Sequence, residues 1–246
     1  MVKLTGKICP LLIAFFVFIQ FSFLETNAGS VAPFSTAISP DNFLQDKYMQ
    51  LHLADSGLSK EAYTNAVKGF AYLSNEGKLN SDSVISIIDF SLSSNQKRLF
   101  VIDLKNNKLL YNSLVAHGRN SGKDMAEHFS NAPESFESSL GFYVTAATYQ
   151  GKHGYSLKLM GQENGINDNA YQRGIVMHCA AYVSASYAQH QGYIGRSEGC
   201  PALPENMYKP IIETIKNGSC LYIYSADKNY LSRSRIINGI TVKLNA

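Results

Sequence analysis

The stretch Arg196-Ser197-Glu198-Gly199-Cys200-Pro201-Ala202-Leu203-Pro204 is the natural starting point for reading this chain. A cysteine follows a glycine in a segment bounded by prolines. Such company suits backbone that turns sharply or comes close to a ligand. Upstream, Gly174-Ile175-Val176-Met177-His178 is a short apolar run ending in histidine. An ordinary thiol is only a few per cent ionised at neutral pH, so a nucleophilic cysteine needs a base or cation beside it. His178 can supply that.

The segments around this pair have the period of strands. Residues 84–92, 98–104, 108–117, 142–149, 155–160, 174–178 and 219–224 read as short strands, with a turn at Asn106-Asn107 and Gly-rich connections. Residues 208–217 read as a helix behind the cysteine segment, ended by Gly218. Before residue 81 the period is helical. Phe43, Leu44, Tyr48, Leu51 and His52 recur on one face up to Asp55. Ser59 then caps a second helix, with Glu61 in its first turn and Tyr63, Val67, Phe70, Ala71 and Leu73 on its apolar face. Ser74-Asn75-Glu76-Gly77 stops it. The expected class is mainly β with a small N-terminal helical segment, α+β overall.

The chain has 246 residues, with 22 basic against 19 acidic side chains and a net charge of +3. Near balance, and without a Lys/Arg run, the chain does not read as a nucleic-acid binder. Fifteen Tyr and thirteen Phe accompany no Trp; such residues favour strands and grooves that bind polar polymers. Residues 1–28 read as a secretory signal. Lys3 and Lys7 precede an apolar run to Leu24, broken by Cys9-Pro10, Gln20 and Ser22, and Thr26-Asn27-Ala28 supplies small residues at a cleavage point. An uncleaved membrane anchor is the other reading of that run. The expected organisation is a signal over 1–28, an extended leader and helical pair over 29–80, and a catalytic domain over 81–246. Export is the expectation, with no stable membrane insertion after cleavage. Removing Cys9 leaves Cys179, Cys200 and Cys220, an odd number, so one thiol stays free or pairs between chains.

His117-Gly118-Arg119, Ser121-Gly122, Phe129-Ser130-Asn131, Ser138-Ser139-Leu140-Gly141-Phe142-Tyr143, Tyr149-Gln150-Gly151-Lys152-His153-Gly154, Arg173 to His178, Tyr182-Val183-Ser184 and Gly195 to Ala202 occur in that order. Together these words resemble the murein L,D-transpeptidase catalytic domain (YkuD-type), in the branch whose cysteine is followed by Pro-Ala. The resemblance covers roughly residues 81–224 and implies a β-sandwich-like catalytic domain. The family pattern is a His, a spacer, then Ser/Thr-X-Gly-Cys. Here His178 precedes Cys200 by a spacer longer than in the commonest members. Glu198 stands where those members have His, and Pro201-Ala202-Leu203 replaces an Arg-containing tail.

The resemblance implies an acyl transfer on peptidoglycan stem peptides. Cys200 attacks an L,D peptide bond, His178 acts as base, D-alanine leaves, and a second stem's amine takes the acyl group to give a 3→3 cross-link. Water as acceptor gives an L,D-carboxypeptidase, and a dead site gives a peptidoglycan-binding protein. Backbone N–H groups at Gly199 and Cys200 are the expected oxyanion donors. Ser197 either orients His178 or bonds the backbone of the turn. Arg196 is a candidate for the stem carboxylate, with a plain surface role as the other reading. His117 is a candidate to line the cleft. Ser139, Gly141 and Tyr155 are candidates to shape the groove, Gly141 with a simple turn as its alternative. Cys179 adjoins His178 and is read as a core residue or a partner of Cys220. His128, His153 and His190 read as surface residues. No metal or organic cofactor is implied. A zinc peptidase using His117 and His178 lacks a His-Glu-X-X-His motif, and a papain-like peptidase has the opposite order of Cys and His.

Overall fold

The computed structural model describes residues 47–81 and 83–239. The expected signal segment, the leader and the start of the first helix lie outside them. Residues 47–50 are helical and 51–57 are turns. That helix therefore ends before Asp55, because His52 takes a left-handed φ of 50°. Helix α1 (Lys60–Asn75) starts as expected: the Ser59 hydroxyl accepts from Ala62 N–H. Its buried face carries Ala62, Tyr63, Ala66, Val67 and Leu73. Gly69 lies on that face against Phe142; a Cβ there would sit 2.0 Å from the ring. The absent side chain lets the helix lie close on the sheet.

Eight strands follow among the described residues: β1 (Val84–Asp89), β2 (Leu99–Asp103), β3 (Lys108–Ser113), β4 (Gly141–Gly151), β5 (Gly154–Gly161), β6 (Val176–Cys179), β7 (Ala202–Leu203) and β8 (Cys220–Tyr224). Their order is β3-β2-β1-β8-β4-β5-β6-β7. The β1–β8 and β6–β7 pairs are parallel and the others antiparallel. Every residue of β8 is buried, as are five of six in β1, so these central strands read as apolar runs rather than alternating ones. Just beyond β3, Ala116 bridges Ala202 of β7 at the other end of the order, its N–H donating to Ala202 O at 2.9 Å. The curled sheet nearly closes on itself, the route by which β folds remove exposed edges.

One core joins α1 to the sheet: Tyr63, Ala66 and Leu73 pack in the same cluster as Ile85, Phe142 and Tyr222. Helix α3 (Tyr208–Ile215) adds Ile211, Ile212 and Ile215. It stops two residues earlier than expected. Asn217 and Gly218 take φ of 64° and 105°, and their N–H groups donate to Ala146 O and Thr145 O of β4. Three short helices were not read from the sequence: α2 (Ala185–Gln191), α4 (Lys228–Arg233) and α5 (Arg235–Asn238). Ser184, Asp227 and Ser234 cap them, and capping residues of this kind are the one local signal for them. Helix α2 buries no residue. It sits in the long spacer between His178 and Ser197, above a small apolar cluster of Ala116, Val183, Ile194 and Ala202.

Candidate active site

Strand β6 and the turn before β7 bring the histidine and the cysteine together. In the parallel β6–β7 register His178 faces Ala202, which sets Cys200 level with Val176. Val176 N–H indeed points at Cys200 Sγ at 3.5 Å. His178 is two residues beyond Val176, so strand alternation puts it on the same face. Both side chains line one cleft of about 690 Å³.

The turn carrying Cys200 is stitched down by Ser197. Its N–H donates to His117 O at 2.9 Å. Its hydroxyl donates to Cys200 O at 2.6 Å and accepts from Gly199 N–H at 3.1 Å. Of the two roles open to Ser197, the structure realises the second: the hydroxyl organises the turn and does not hold His178. The same bond corrects the oxyanion expectation. Gly199 N–H is committed to Ser197, and Cys200 N–H remains the turn's candidate donor. Gly199 is needed for its backbone: φ is +115°, and a Cβ would lie 2.8 Å from Glu137 O. Gly199→Ala is expected to fold yet lose about 100-fold in kcat, because a shift of about 1 Å in a reacting group has that effect. Circular dichroism beside turnover measurement checks this; unchanged turnover would mean that the turn tolerates the side chain.

His178 is 3% exposed. Its Nδ1 donates to Cys179 O at 2.8 Å. A carbonyl only accepts, so the proton is on Nδ1 and Nε2 carries the lone pair. Burial lowers the His178 pKa, the bond to Cys179 opposes this, and the positive charge of His153 and Lys152 lowers it further. Burial raises the Cys200 thiol, against the Val176 N–H and the Arg173 guanidinium. The resting pair is therefore a neutral thiol and a neutral imidazole. In this state Sγ–H points to Gly174 O at 3.8 Å.

Several expected groove residues lie elsewhere. His117 is fully buried. Its Nδ1 accepts from Arg98 Nη2 at 2.7 Å and its Nε2 donates to Gly122 O at 3.3 Å. Burial and Arg98 push its pKa down to about 3. It supports the Cys200 turn from behind and does not line the cleft. Ser139 is buried between Ser130 O and the Arg173 guanidinium. Gly141 opens strand β4 opposite Ile223 with φ +103°, and a Cβ would meet Glu163 Oε2 at 2.3 Å, so it is a strand residue held close to Glu163 and is absent from the cleft lining. Tyr155 turns its hydroxyl to Glu213 of α3. Arg196 does border the cleft, but its Nη1 is used by Arg119 O at 3.1 Å and Gly122 O at 2.9 Å. Cys179 is half-buried, Cys220 is fully buried, and both thiols are free, so neither pairing nor a core position for Cys179 is found.

Other side chains complete the cleft. Arg173 donates to Ser130 O, Ser139 Oγ, Ser135 Oγ and Glu137 O, clasping the 130–139 loop beside the thiol. Arg119 lies over the Phe136 ring at 4.0 Å and pairs with Glu198 at 3.7 Å. Lys152 and His153 enter from the tip of the β4–β5 hairpin. His153, read as a surface residue, stacks on His178 with centroids 4.4 Å apart. Its sequence signals, a place in the word Tyr149 to Gly154 and a Gly-rich connection between strands, say nothing of what the tip touches.

A family profile for the L,D-transpeptidase catalytic domain matches residues 54–224. No curated protein matches. Among solved structures, an L,D-transpeptidase from Mycobacterium smegmatis aligns at 13% identity over 58% of this chain and 59% of that one, with a TM-score of 0.38. The helical cell shape determining protein Pgp2 from Campylobacter jejuni aligns at 13% identity over 65% and 57%, with a TM-score of 0.41. An L,D-transpeptidase from Mycobacterium tuberculosis aligns at 12% over 58% of each chain, with a TM-score of 0.34. The chain spans less than two thirds of the length of these structures. The profile covers more than half of the chain, from the end of the first helical turn to the last residue of β8, and the chain belongs to the L,D-transpeptidase catalytic domain family.

Proposed function

We propose that the protein is an exported, cysteine-dependent L,D-transpeptidase that joins peptidoglycan stem peptides by 3→3 cross-links. The observation that carries this reading is the placement of Cys200 and His178 on one face of one cleft, with His178 presenting Nε2 as the base. The thiol turns from Gly174 O to His178 and gives up its proton as Sγ attacks the L,D carbonyl. Cys200 N–H faces the developing oxyanion. Collapse breaks the C–N bond, and His178 returns the proton to the departing D-alanine. The thioester is then attacked by the side-chain amine of a second stem. That amine's proton passes to His178 and on to the released thiolate. Arg119 and Lys152, at the cleft edge, provide the positive charge for stem carboxylates that the replaced Arg-containing tail would otherwise give. The enzyme acts in the periplasm or cell envelope after loss of residues 1–28, and residues 29–80 lead into the catalytic part.

A carboxypeptidase differs only in taking water as acceptor. A zinc peptidase built on His117 and His178 is disfavoured, because both His117 nitrogens are occupied inside the protein. Incubation of the mature protein with disaccharide-tetrapeptide, followed by mass spectrometry, tests the proposal. Dimer with loss of D-alanine is expected. Tripeptide alone would replace the reading with a carboxypeptidase, and no product would remove it.

A further inference from the structure

The catalytic base has a second histidine against its face. Strands β4 and β5 are joined by the two residues Lys152 and His153, and Gly151 pairs with Gly154 across the loop. The β5–β6 register, with Leu157 opposite Met177, runs this tip toward the end of β6, where His178 and Cys179 stand. The His153 and His178 rings lie 4.4 Å apart at 23° between planes. The His153 carbonyl also accepts from Cys179 Sγ at 3.8 Å. The tip thus touches β6 twice, at the base and at its neighbour. One imidazole edge of His178 is fixed by Cys179 O. That bond alone leaves the ring free to tilt about the Nδ1···O line, and a stacked partner restrains the remaining motion.

We infer that His153 is a positioning residue for the acyl transfer: its ring, stacked on the His178 imidazole, braces that ring in the orientation set by the Cys179 carbonyl. The inference rests on the cysteine mechanism proposed above. Every charged or titratable group facing His178 bears on its protonation. Lys152 and His153 come from the hairpin, Cys179 from β6 itself, and Cys200 from the turn before β7. Behind these, Glu205 acts on Cys179, and Arg173 and Glu198 act on Cys200. Both like-charged neighbours of His178 come from the hairpin tip, so its sequence tunes the base from outside the core. His153 is exposed, so packing of the core does not demand a ring at this position.

The test uses His153→Ala and His153→Phe in the full-length mature protein. His153→Ala is expected to lower kcat about tenfold, the upper range for an aromatic pair, with KM little changed. His153→Phe keeps a ring without a charge and is expected to restore kcat to within about threefold of the wild type. In the substrate-free protein, NMR titration of the His178 imidazole is expected to move to higher pH in both variants, since each removes a like charge. Wild-type turnover and an unmoved His178 titration in His153→Ala would overturn the inference, as would a Phe variant as slow as the Ala variant. The titration is read without substrate. Failure of the enzymatic reading, with no product from any form, is thus distinguishable from failure of the stacking role.

Discussion

Cys200→Ala is expected to lower formation of both dimer and tripeptide from disaccharide-tetrapeptide by about 10⁴-fold or more, the scale seen when a nucleophile that acts as part of a unit is removed. Folding should hardly change, because the half-buried thiol makes only weak contacts with Val176 N–H and Gly174 O. A loss of roughly 1 kcal/mol or less is the expectation. Equal product from mutant and wild type would take Cys200 out of the mechanism. The wild-type thiol should also titrate late. Burial holds it above its ordinary range and holds His178 below its own, so at neutral pH neither group is charged. Alkylation by iodoacetamide, measured on a Cys179→Ala background, should therefore rise with pH. Its midpoint should lie above the ordinary cysteine value of about 8.5. A pre-formed thiolate–imidazolium pair would instead react at a constant rate through neutral pH. The base stays unprotonated until pH falls through its lowered pKa. The acid limb of kcat/KM is thus expected below the ordinary histidine value of about 6.5.

Arg98→Met is expected to cost about 3–5 kcal/mol, the range for removing one partner from a buried, hydrogen-bonded charged site. Arg98 is fully buried. It donates to Val115 O through Nε and Nη2, to Leu92 O through Nη1 and to His117 Nδ1 through Nη2. The guanidinium lies 4.8 Å from the Phe90 ring centre. Burial lowers its pKa to about 9, with Asp124 and Asp89 opposing, so it stays charged at neutral pH. Methionine fills the space and leaves three acceptors without a donor, each a buried group that has lost its partner. The midpoint of thermal unfolding should fall by about 10 °C for a domain of this size. Arg98→Lys should recover little, since one ammonium cannot reach three acceptors in the geometry of a planar fork. The site is coupled to this network through His117, whose carbonyl receives Ser197 N–H at the base of the cysteine turn. A variant with unchanged thermal stability would show that the buried guanidinium is dispensable.

The proposed nucleophile and base stand out in the sequence because their signals are local. Gly199 before Cys200, the flanking prolines and an apolar run ending at His178 are features of a few residues each. The apolar runs, alternation and turn chemistry that mark the expected strands are local as well, as is the Ser59 cap of α1. Strand β7 has only two residues and therefore no period to detect. Helices α2, α4 and α5 are too short to show an apolar stripe, and α2 buries nothing at all.

The groove residues were misassigned for a different reason. His117, Ser139, Gly141 and Tyr155 are polar or small residues at strand ends, and residue type does not say which way such a group faces. His117 and Ser139 turn inward to Arg98 and Arg173, and Tyr155 turns to α3. The charges that do line the cleft, Arg119, Glu134, Lys152, Arg173, Arg196 and Glu198, come from separate segments of the chain. By itself the sequence singled out the Cys200 and His178 pair and the stretches that become strands, since both signals depend on neighbours within a few positions. The tertiary structure decided what surrounds them. The parallel pairing of β6 with β7 sets Cys200 beside His178, and the β5–β6 pairing lays His153 on the base. Such pairings follow from the closure of the whole sheet, which no short stretch of sequence specifies.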